Sequence, residues 1–585
     1  MSVSIVVRHQ GKELTLHAEP GAPVAPLLRE KGLLSLPCGV GKCGKCVISA
    51  DTEPCAEERA LLGERGIAAG LRLACHTRAA EGLIIEIPEA QALRVLTRFS
   101  RSDYPFRPLV ERRAFKTAEP SLGDQRSDLQ RLLDACGARR HDLPLDALAA
   151  LPAFLREHPA GFGLFHGDAL VGYTASERPL ACIVDIGTTT LAALLVDLAG
   201  RRVVAVRGER NAQSPYGADV ISRIRHQTEW EQEGRKGENP LRRAVTEQID
   251  GLLRALLDEA GATEVDMLAL AGNTTMMHLL CGLPAEHIGK APFIPATLEA
   301  MRLPASALGL RSTAPAFLLP GISSYIGADI VASLLAADAH REQPPFLLVD
   351  LGTNAETVLY ADGVFYACSA AAGPCFEGAT LSCGMAGQAG AIDAVFPDPE
   401  TGLRFTTLGD APARGLCGSG VLDAVSLLLE TGLMDETGRL EADGSPLGRR
   451  ITDDALRLTD TVRLTQRDIR EVQLAKAAVR AGIDILLREA GLSAGDVSRF
   501  YLAGGFGSAL KPESAVRVGL IPEELGERVR VLGNAAGFGA LRYVTEKDAV
   551  AGALSVIRRT RYIELSAHAG FTDAYVERML FPERE

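Results

Sequence analysis

An internal repeat is the feature that most constrains how this 585-residue chain can fold. A D-x-G-T turn at residues 185–188 lies between two apolar, strand-like runs. The same arrangement recurs at residues 350–353, and the two aspartates are 165 residues apart. Self-similarity of this kind indicates structural units that are built alike. The sequence therefore predicts two lobes of related fold, each opening with a strand, a turn and a strand.

The residues of the repeated turn suit the binding of a polyphosphate. Glycine lets the backbone approach a phosphate closely, and the N–H groups of such a turn can face an anion. Aspartate can hold Mg²⁺ through water molecules. We therefore predict that Asp185 and Asp350 organise Mg²⁺, although aspartate is also common in ordinary turns. The predicted phosphate contacts are Gly187, Thr188, Thr189, Thr190, Gly352, Thr353 and Asn354. Either Glu356 or Glu377 could position the attacking water.

Further glycine-rich segments accompany the repeat. Gly504, Gly505 and Gly507 follow a short strand and leave room for the nucleoside end of a nucleotide, although a plain turn into a helix would need the same residues. Gly272-Asn273 and Gly533-Asn534 each lie between an apolar strand and an apolar helix. They form a matched pair, as expected for one connector in each lobe, and we predict that Gly272 and Asn273 contact the nucleotide.

Four cysteines near the N-terminus have a spacing with chemical meaning. Cys38, Cys43 and Cys46 follow the pattern C-x4-C-x2-C, and 28 residues separate Cys46 from Cys75. This is the spacing of plant-type [2Fe–2S] sites, in which four thiolates hold two irons. A structural zinc site is the alternative, but zinc sites usually pair two C-x2-C motifs. We predict that these cysteines bind a [2Fe–2S] cluster.

Composition limits the other classes of function. The 62 Lys and Arg residues against 74 Asp and Glu residues give a net charge of −12, which argues against a general nucleic-acid binder. No run of eighteen apolar residues is present, so no membrane span is predicted. The first ten residues are too polar for a signal peptide, and we expect a cytoplasmic protein.

Several local strings make the chain resemble a known group of proteins. The two D-x-G-T turns and the Gly-rich segments resemble the actin/Hsp70/sugar-kinase (ASKHA) superfamily of ATPases. More particular strings lie at residues 371–378, 382–385, 415–420, 464–476 and 502–507. Together with the cysteine motif, they resemble the RACE proteins, the reductive activators of corrinoid-dependent enzymes, over essentially the whole chain.

The resemblance implies a multidomain α+β and α/β fold. We expect a β-grasp [2Fe–2S] ferredoxin domain at residues 1–90, a basic linker at 91–118 and a small helical middle domain at 119–178. A two-lobed ASKHA ATPase domain would occupy residues 179–585, with lobe I at about 179–343 and lobe II at about 344–585.

The resemblance also implies a function. The chain is expected to be an ATP-hydrolysing activator that passes one electron from its cluster to reduce a Co(II) corrinoid to Co(I). Its cofactors would be the [2Fe–2S] cluster, ATP and Mg²⁺. Its partners would be an upstream electron donor and a corrinoid protein: a methyltransferase corrinoid subunit, a corrinoid iron–sulfur protein or a methionine synthase. A ferredoxin-fused small-molecule kinase and a nucleotide-sensing electron carrier without hydrolysis stay open as alternatives.

Overall fold

The N-terminal unit of the protein is a mixed sheet covered by a helix. The structure, a computed structural model, describes residues 2–9, 12–31, 33, 46–59, 67, 70–87, 104–234, 238–341, 343–507 and 509–583. The elements of this unit are β1 (Val3–His9), β2 (Lys12–Ala18), α1 (Val24–Glu30), β3 (Val47–Ala50), β4 (Leu71–Leu73) and β5 (Leu83–Glu86). Their order across the sheet is β2-β1-β5-β3-β4. Ile5 and Val7 alternate along β1 and are fully buried against Leu28 of α1, so period-two patterning defines this core.

The second unit combines a sheet with two helices. Its elements are β6 (Glu111–Lys116), α2 (Asp128–Cys136), β7 (Arg140–His141), α3 (Leu145–Glu157), β8 (Ala160–His166) and β9 (Ala169–Thr174). The strand order is β6-β8-β9-β7. Here the structure differs from the predicted basic linker and helical domain, because β6 lies inside the range 91–118 and a sheet accompanies the helices.

The arginines of β6 explain this difference. Arg112 forms a bidentate ion pair with Asp266 at 2.6 Å, and its side chain is only 13% exposed. The guanidinium of Arg113 lies 3.8 Å from the ring centroid of Phe165. Arginine has an apolar stem and a planar charged group that stacks on aromatic rings. A run of arginines can therefore belong to a packed strand as well as to a solvated connector.

Lobe I contains the first copy of the repeat. Its elements are β10 (Leu180–Ile186), β11 (Thr190–Asp197), β12 (Arg202–Arg210), α4 (Val220–Gln232), α5 (Pro240–Ala260), β13 (Met267–Gly272), α6 (Thr274–Cys281), β14 (Met301–Pro304), β15 (Pro315–Leu318) and α7 (Ala328–Ala336). The sheet order is β12-β11-β10-β13-β15-β14. Strands β10 and β13 are apolar on both faces, because helices or neighbouring elements cover each side.

Lobe II contains the second copy and two small additional sheets. Its elements are β16 (Phe346–Leu351), β17 (Ala355–Ala361), β18 (Val364–Ala370), β19 (Ala391–Asp398), β20 (Gly402–Thr407), β21 (Gly415–Leu416), α8 (Gly418–Thr431), β22 (Ile451–Thr452), β23 (Ala455–Arg457), β24 (Arg463–Thr465), α9 (Gln466–Ala490), β25 (Arg499–Ala503), α10 (Gly504–Gly507), α11 (Pro512–Arg517), β26 (Val529–Gly533), α12 (Ala535–Thr545), α13 (Ala549–Arg558), β27 (Thr560–Tyr562) and α14 (Phe571–Glu577). The main sheet has the order β26-β25-β16-β17-β18-β27.

The two main sheets position the repeated turns in the same way. In lobe I, β10 pairs with β11 antiparallel and with β13 parallel, and Asp185 lies beside Ala271. In lobe II, β16 pairs with β17 antiparallel and with β25 parallel, and Asp350 lies beside Ala503. Each D-x-G-T turn therefore lies at the carboxyl edge of its sheet, which is where ligands of such folds bind.

Helices α7 and α12 join the two lobes. On α7, Val331 and Leu335 pack in a core that includes lobe I strands, whereas Ile330 and Leu334 pack with β16 of lobe II. Helix α12 contacts α7 so closely that a Cβ atom at Gly539 would lie 1.7 Å from the carbonyl oxygen of Ala332. The pair forms a tightly packed connection between the lobes. In the ranges that the structure describes, no helix combines the length and the apolarity needed to cross a bilayer.

Candidate functional site

The carboxyl edges of the two main sheets enclose a cavity of about 290 Å³. Residues of both repeated turns line it, together with the start of α12 and the α10 segment. Apart from Gly272 and Gly507, every predicted catalytic or nucleotide-binding residue lines this cavity. Residues that are far apart in the sequence are thus brought together in one cleft between the lobes.

A group of carboxylates faces the cavity from both lobes. Burial raises the pKa of Asp350 to about 7, and the negative charge of Asp329 adds to this rise. Burial likewise raises the pKa of Asp329 to about 6. The pKa of Asp185 is raised well above its usual value by burial and then by the charges of Asp329 and Asp350. Carboxylates that raise each other's pKa in this way are stabilised by a shared cation, and hard oxygen donors suit hydrated Mg²⁺.

Glu356 lies next to this group because of the strand register. It is directly opposite Asp350 in the β16–β17 pair, and cross-strand partners point to the same face of a sheet. Ser369 Oγ donates a hydrogen bond to Glu356 Oε1 at 3.3 Å. Burial, followed by the charges of Asp329 and Asp350, raises the pKa of Glu356 well above its usual value. The arrangement favours a protonated Glu356 while the cavity holds no cation.

The hydroxyl groups of the two turns have specific partners. Thr188 Oγ1 accepts a hydrogen bond from Asn273 Nδ2 at 2.9 Å, so the first Gly-Asn segment contacts the first turn. Thr189 and Thr353, one from each lobe, both donate to the carboxylate of Glu377. The predicted phosphate donors of the two lobes therefore converge on one point.

The first turn is held in place by the segment that follows β12. Asn211 donates from Nδ2 to Gly187 O and from its backbone N to Thr189 O, both at 2.8 Å. Arg223 of α4 donates from Nη2 to Thr188 O at 2.6 Å. These bonds occupy the carbonyl groups of Gly187, Thr188 and Thr189, and they fix the backbone of the turn at the edge of the cavity. Neither Asn211 nor Arg223 belongs to the repeated string, so the repeat did not identify them.

Close contacts require glycine at three of the predicted positions, Gly187, Gly272 and Gly504. Gly504 has φ +84°, and a Cβ atom there would lie 2.5 Å from Asp350 Oδ1. A Cβ atom at Gly187 would lie 2.6 Å from Thr190 O. At Gly272 it would lie 2.7 Å from Ile186 O, so this residue supports the sheet edge behind the cavity. A Cβ atom at Gly507 would lie 3.6 Å from Leu502 Cβ, an ordinary contact, so no close approach requires glycine there.

Asp329 is a further site residue that the sequence did not identify, and it lines the cavity directly. It lies in the first turn of α7, and its Oδ1 accepts a hydrogen bond from Ile330 N at 2.9 Å. It belongs to no repeated string. A glycine followed two residues later by an acidic residue at a helix start is the only signal, and many ordinary helices share it.

The predicted cluster site is described for two of its cysteines. Cys46 Sγ and Cys75 Sγ lie 2.9 Å apart, whereas Cys38 and Cys43 lie outside the described residues. Burial and the adjacent Cys75 thiol raise the pKa of Cys46 to about 12. A thiol in this setting stays protonated at neutral pH unless a metal ion replaces the proton. The fold therefore brings two of the four predicted cluster ligands side by side, although they are 29 positions apart in the sequence.

Family models match successive parts of the chain. The model for a 2Fe–2S iron–sulfur cluster binding domain matches residues 7–80, which contain all four predicted cluster cysteines. The RACo linker region matches residues 100–161, and the RACo middle region matches 180–342. The C-terminal domain of RACo, the ASKHA domain, matches residues 345–585.

Individual proteins are similar over long stretches. The chain is 28% identical over 578 residues to the corrinoid activation enzyme RamQ of Eubacterium limosum, with 94% of each chain covered. It is 29% identical over 262 residues to a [Co(II) methylated amine-specific corrinoid protein] reductase of Methanosarcina barkeri, covering 41% of this chain and 46% of that protein. A solved reductive activator for corrinoid, iron–sulfur protein aligns with a TM-score of 0.70 at 29% identity, covering 100% of this chain and 99% of that one.

Proposed function

This chain belongs to the RACo family, and from that premise we propose that it is an ATP-dependent reductive activator of a corrinoid protein. In the proposed reaction, Co(II) in the partner's corrinoid is the substrate and takes up one electron to become Co(I). ATP and water are converted to ADP and phosphate in the cleft between the lobes. The names of the similar proteins, a corrinoid activation enzyme and a corrinoid protein reductase, support this substrate class.

One observation supports the proposed coupling between nucleotide binding and electron delivery. The segment that follows the N-terminal domain is joined to the end of α12 by backbone hydrogen bonds. They are Arg107 N to Thr545 O (2.6 Å), Leu109 N to Val544 O (2.8 Å) and Lys547 N to Pro105 O (2.9 Å). Tyr104 Oη adds a 2.7 Å hydrogen bond to Thr545 Oγ1.

The other end of the same helix lines the nucleotide cleft. Helix α12 has 11 residues and is therefore about 16 Å long. Its first residues, with Asn534 before them, line the cavity, and Asn534 Oδ1 accepts a hydrogen bond from Gly537 N at 2.7 Å. A rotation of the lobes about α7 and α12 would therefore also move the segment that carries the N-terminal domain.

ATP has a physical reason to take part. When bound, the cluster supplies single electrons, and plant-type clusters have potentials near −400 mV. Each further 100 mV that one electron must climb costs about 2.3 kcal/mol. A ligand shifts an equilibrium only by its differential affinity for the two states. We therefore infer that nucleotide binding changes the affinity of this protein for one redox state of the corrinoid partner more than for the other.

The residues of the cleft have defined tasks in this proposal. Asp185 and Asp350 hold Mg²⁺ through water, with Asp329 completing the acidic group. Thr189 and Thr353 donate to phosphate oxygens from opposite lobes. Gly504 and Gly505 admit the nucleoside. In the N-terminal domain, Cys38, Cys43, Cys46 and Cys75 hold the cluster.

The test is anaerobic spectroscopy on a Co(II) corrinoid protein of a methyltransferase system. The reduced activator is mixed with it, with and without Mg·ATP, and the Co(I) absorption band is followed. We expect Co(I) to accumulate with ATP and little to form without it. Asp185→Ala should lose the ATP-dependent part, whereas Asp258→Asn, on the exposed face of α5, should retain it. Equal Co(I) formation without nucleotide would contradict the proposal, and phosphoryl transfer to a metabolite would favour a kinase.

A further inference from the structure

A carboxylate lies where the two lobes would be expected to hold a phosphate. Thr189 Oγ1 donates to Glu377 Oε2 at 3.0 Å. Thr353 Oγ1 lies 3.1 Å from each oxygen of the same carboxylate. Thr189 follows the first D-x-G-T turn and Thr353 is part of the second, so Glu377 joins the phosphate donors of lobe I to those of lobe II.

The charges around Glu377 are those of an anion site. The guanidinium groups of Arg210 and Arg223 are near enough to stabilise its negative charge. Burial opposes this effect and is the larger contribution, so the pKa of Glu377 is raised overall. Two hydroxyl donors and two cations would favour a phosphate oxygen in the same place, because they recognise negative charge and acceptor oxygens rather than carbon.

The turn that presents Glu377 packs against the α10 segment. Glu377 N donates to Pro374 O at 3.1 Å, which closes a turn. Gly378 has φ +74°, and a Cβ atom there would lie 2.5 Å from Met385 O. Phe376 stacks on Phe506 of α10 with centroids 4.8 Å apart and ring planes 3° from parallel. The Pro374–Gly378 turn therefore links both phosphate turns to the α10 segment.

The geometry points to Glu377 as the residue that lets this protein distinguish ATP from ADP. Its carboxylate occupies the position that the terminal phosphate of ATP would take. ATP must therefore displace this carboxylate to reach the two threonine hydroxyls. ADP is one phosphate shorter and binds with Glu377 still in place. Displacement removes the link between Thr189 and Thr353 and moves the turn that carries Phe376. The inference rests on the proposed function insofar as the cleft binds adenine nucleotides.

Like-charge repulsion gives the discrimination its direction. A carboxylate and a phosphate cannot share the same two donors, because both are acceptors and both carry negative charge. In the wild-type protein, ATP binding therefore includes the loss of charge-assisted hydrogen bonds to Glu377. Removal of the carboxylate should strengthen binding of the triphosphate and leave binding of the diphosphate nearly unchanged.

Isothermal titration calorimetry with ADP and with a non-hydrolysable ATP analogue tests this inference on the full-length protein. For Glu377→Ala, we expect the affinity for the analogue to rise about tenfold and the affinity for ADP to change less than about twofold. Glu377→Gln keeps the size of the side chain but not its charge, and it should change the ratio in the same direction by about threefold. Glu400→Ala, on the exposed turn between β19 and β20, is the matched control and should change neither affinity.

The outcomes separate this inference from the proposed function. If the wild-type protein binds both nucleotides and neither Glu377 variant changes the ratio of their affinities, the inference is wrong and the proposed function stands. A fall in ATP turnover with an unchanged ratio would assign Glu377 to water orientation and would also overturn the inference. A wild-type protein that binds neither nucleotide would overturn both.

Discussion

Replacement of Asp350 by Asn should stabilise the nucleotide-free protein while it removes ATP turnover. Without a bound cation, burial and the nearby Asp329 raise the pKa of Asp350 from the ordinary 3.8 to about 7. One pKa unit corresponds to about 1.4 kcal/mol. Keeping this carboxylate ionised well above pH 7 therefore costs roughly 4 kcal/mol, and relaxation of its surroundings would reduce this to about 2–4 kcal/mol. An uncharged asparagine avoids that cost.

The sign of the pH dependence follows from the raised pKa. An acid with a higher pKa in the folded state binds its proton more tightly when folded, so the wild-type protein loses stability as the pH rises from about 4 to about 7. The stability advantage of Asp350→Asn should therefore grow by about 2–3 kcal/mol between pH 5 and pH 8. The wild-type protein and the Asp350→Asn variant are compared without Mg²⁺, because the cation would remove the repulsion between the carboxylates of the wild type.

Urea denaturation followed by far-UV circular dichroism, with EDTA present, measures this difference. Asp258→Asn, a matched change at an exposed position on α5, should shift stability by less than about 0.5 kcal/mol at either pH. The reasoning is refuted if Asp350→Asn is no more stable than the wild type at pH 8, or if its advantage does not depend on pH. Adding Mg²⁺ and nucleotide should reverse the order, since only the wild type retains the carboxylate.

Three further predictions address other parts of the molecule. Binding of Mg²⁺ should release protons and tighten as the pH rises through about 7, because the cation competes with the proton of Asp350; calorimetry in buffers of different ionisation enthalpy would detect this. Gly539→Ala should lower the free energy of unfolding by about 3 kcal/mol in the same urea assay, because its Cβ atom would clash with the carbonyl group of Ala332. Gly251→Ala, on α5, is the control and should be neutral or slightly stabilising, because open space surrounds that position. Cys46→Ser should lose the visible absorption of the [2Fe–2S] cluster after iron and sulfide reconstitution, and an unchanged spectrum would show that Cys46 is not a ligand.

The parts of the site that could be predicted from the sequence are those that local chemistry or repetition marks. Asp185 and Asp350 are visible because the same four-residue turn occurs twice. The cysteine motif is visible because three ligands must come from one short loop. In both cases the informative residues are close together in the sequence, so a pattern can be read without knowledge of the fold.

The residues that escaped prediction act through contacts between distant segments. Asp329 reaches the acidic group only because α7 begins at the cleft, and it is not part of the internal repeat. The basic sequence around Arg112 is typical of a solvated segment. In the structure, however, the positive charge of Arg112 is paired with Asp266, 154 residues away. Tyr104, in the segment that follows the N-terminal domain, forms a hydrogen bond with Thr545 at the end of α12, and the two residues are 441 positions apart. Such pairings depend on how the lobes and the connector pack, and no local pattern encodes them.

Those long-range contacts also bear on why nucleotide and cluster domains belong to one chain. A ferredoxin domain on a free tether would deliver electrons regardless of the state of the proposed nucleotide cleft. Here the tether is the segment at residues 104–109, which is hydrogen-bonded to the end of α12. The start of the same helix lines the cleft. Gly539 allows α12 to lie directly on α7, whose two faces pack in the cores of different lobes. Because packed helices shift as rigid units between discrete arrangements, a change at Glu377 and the two phosphate turns would be transmitted to the tether rather than absorbed along the way.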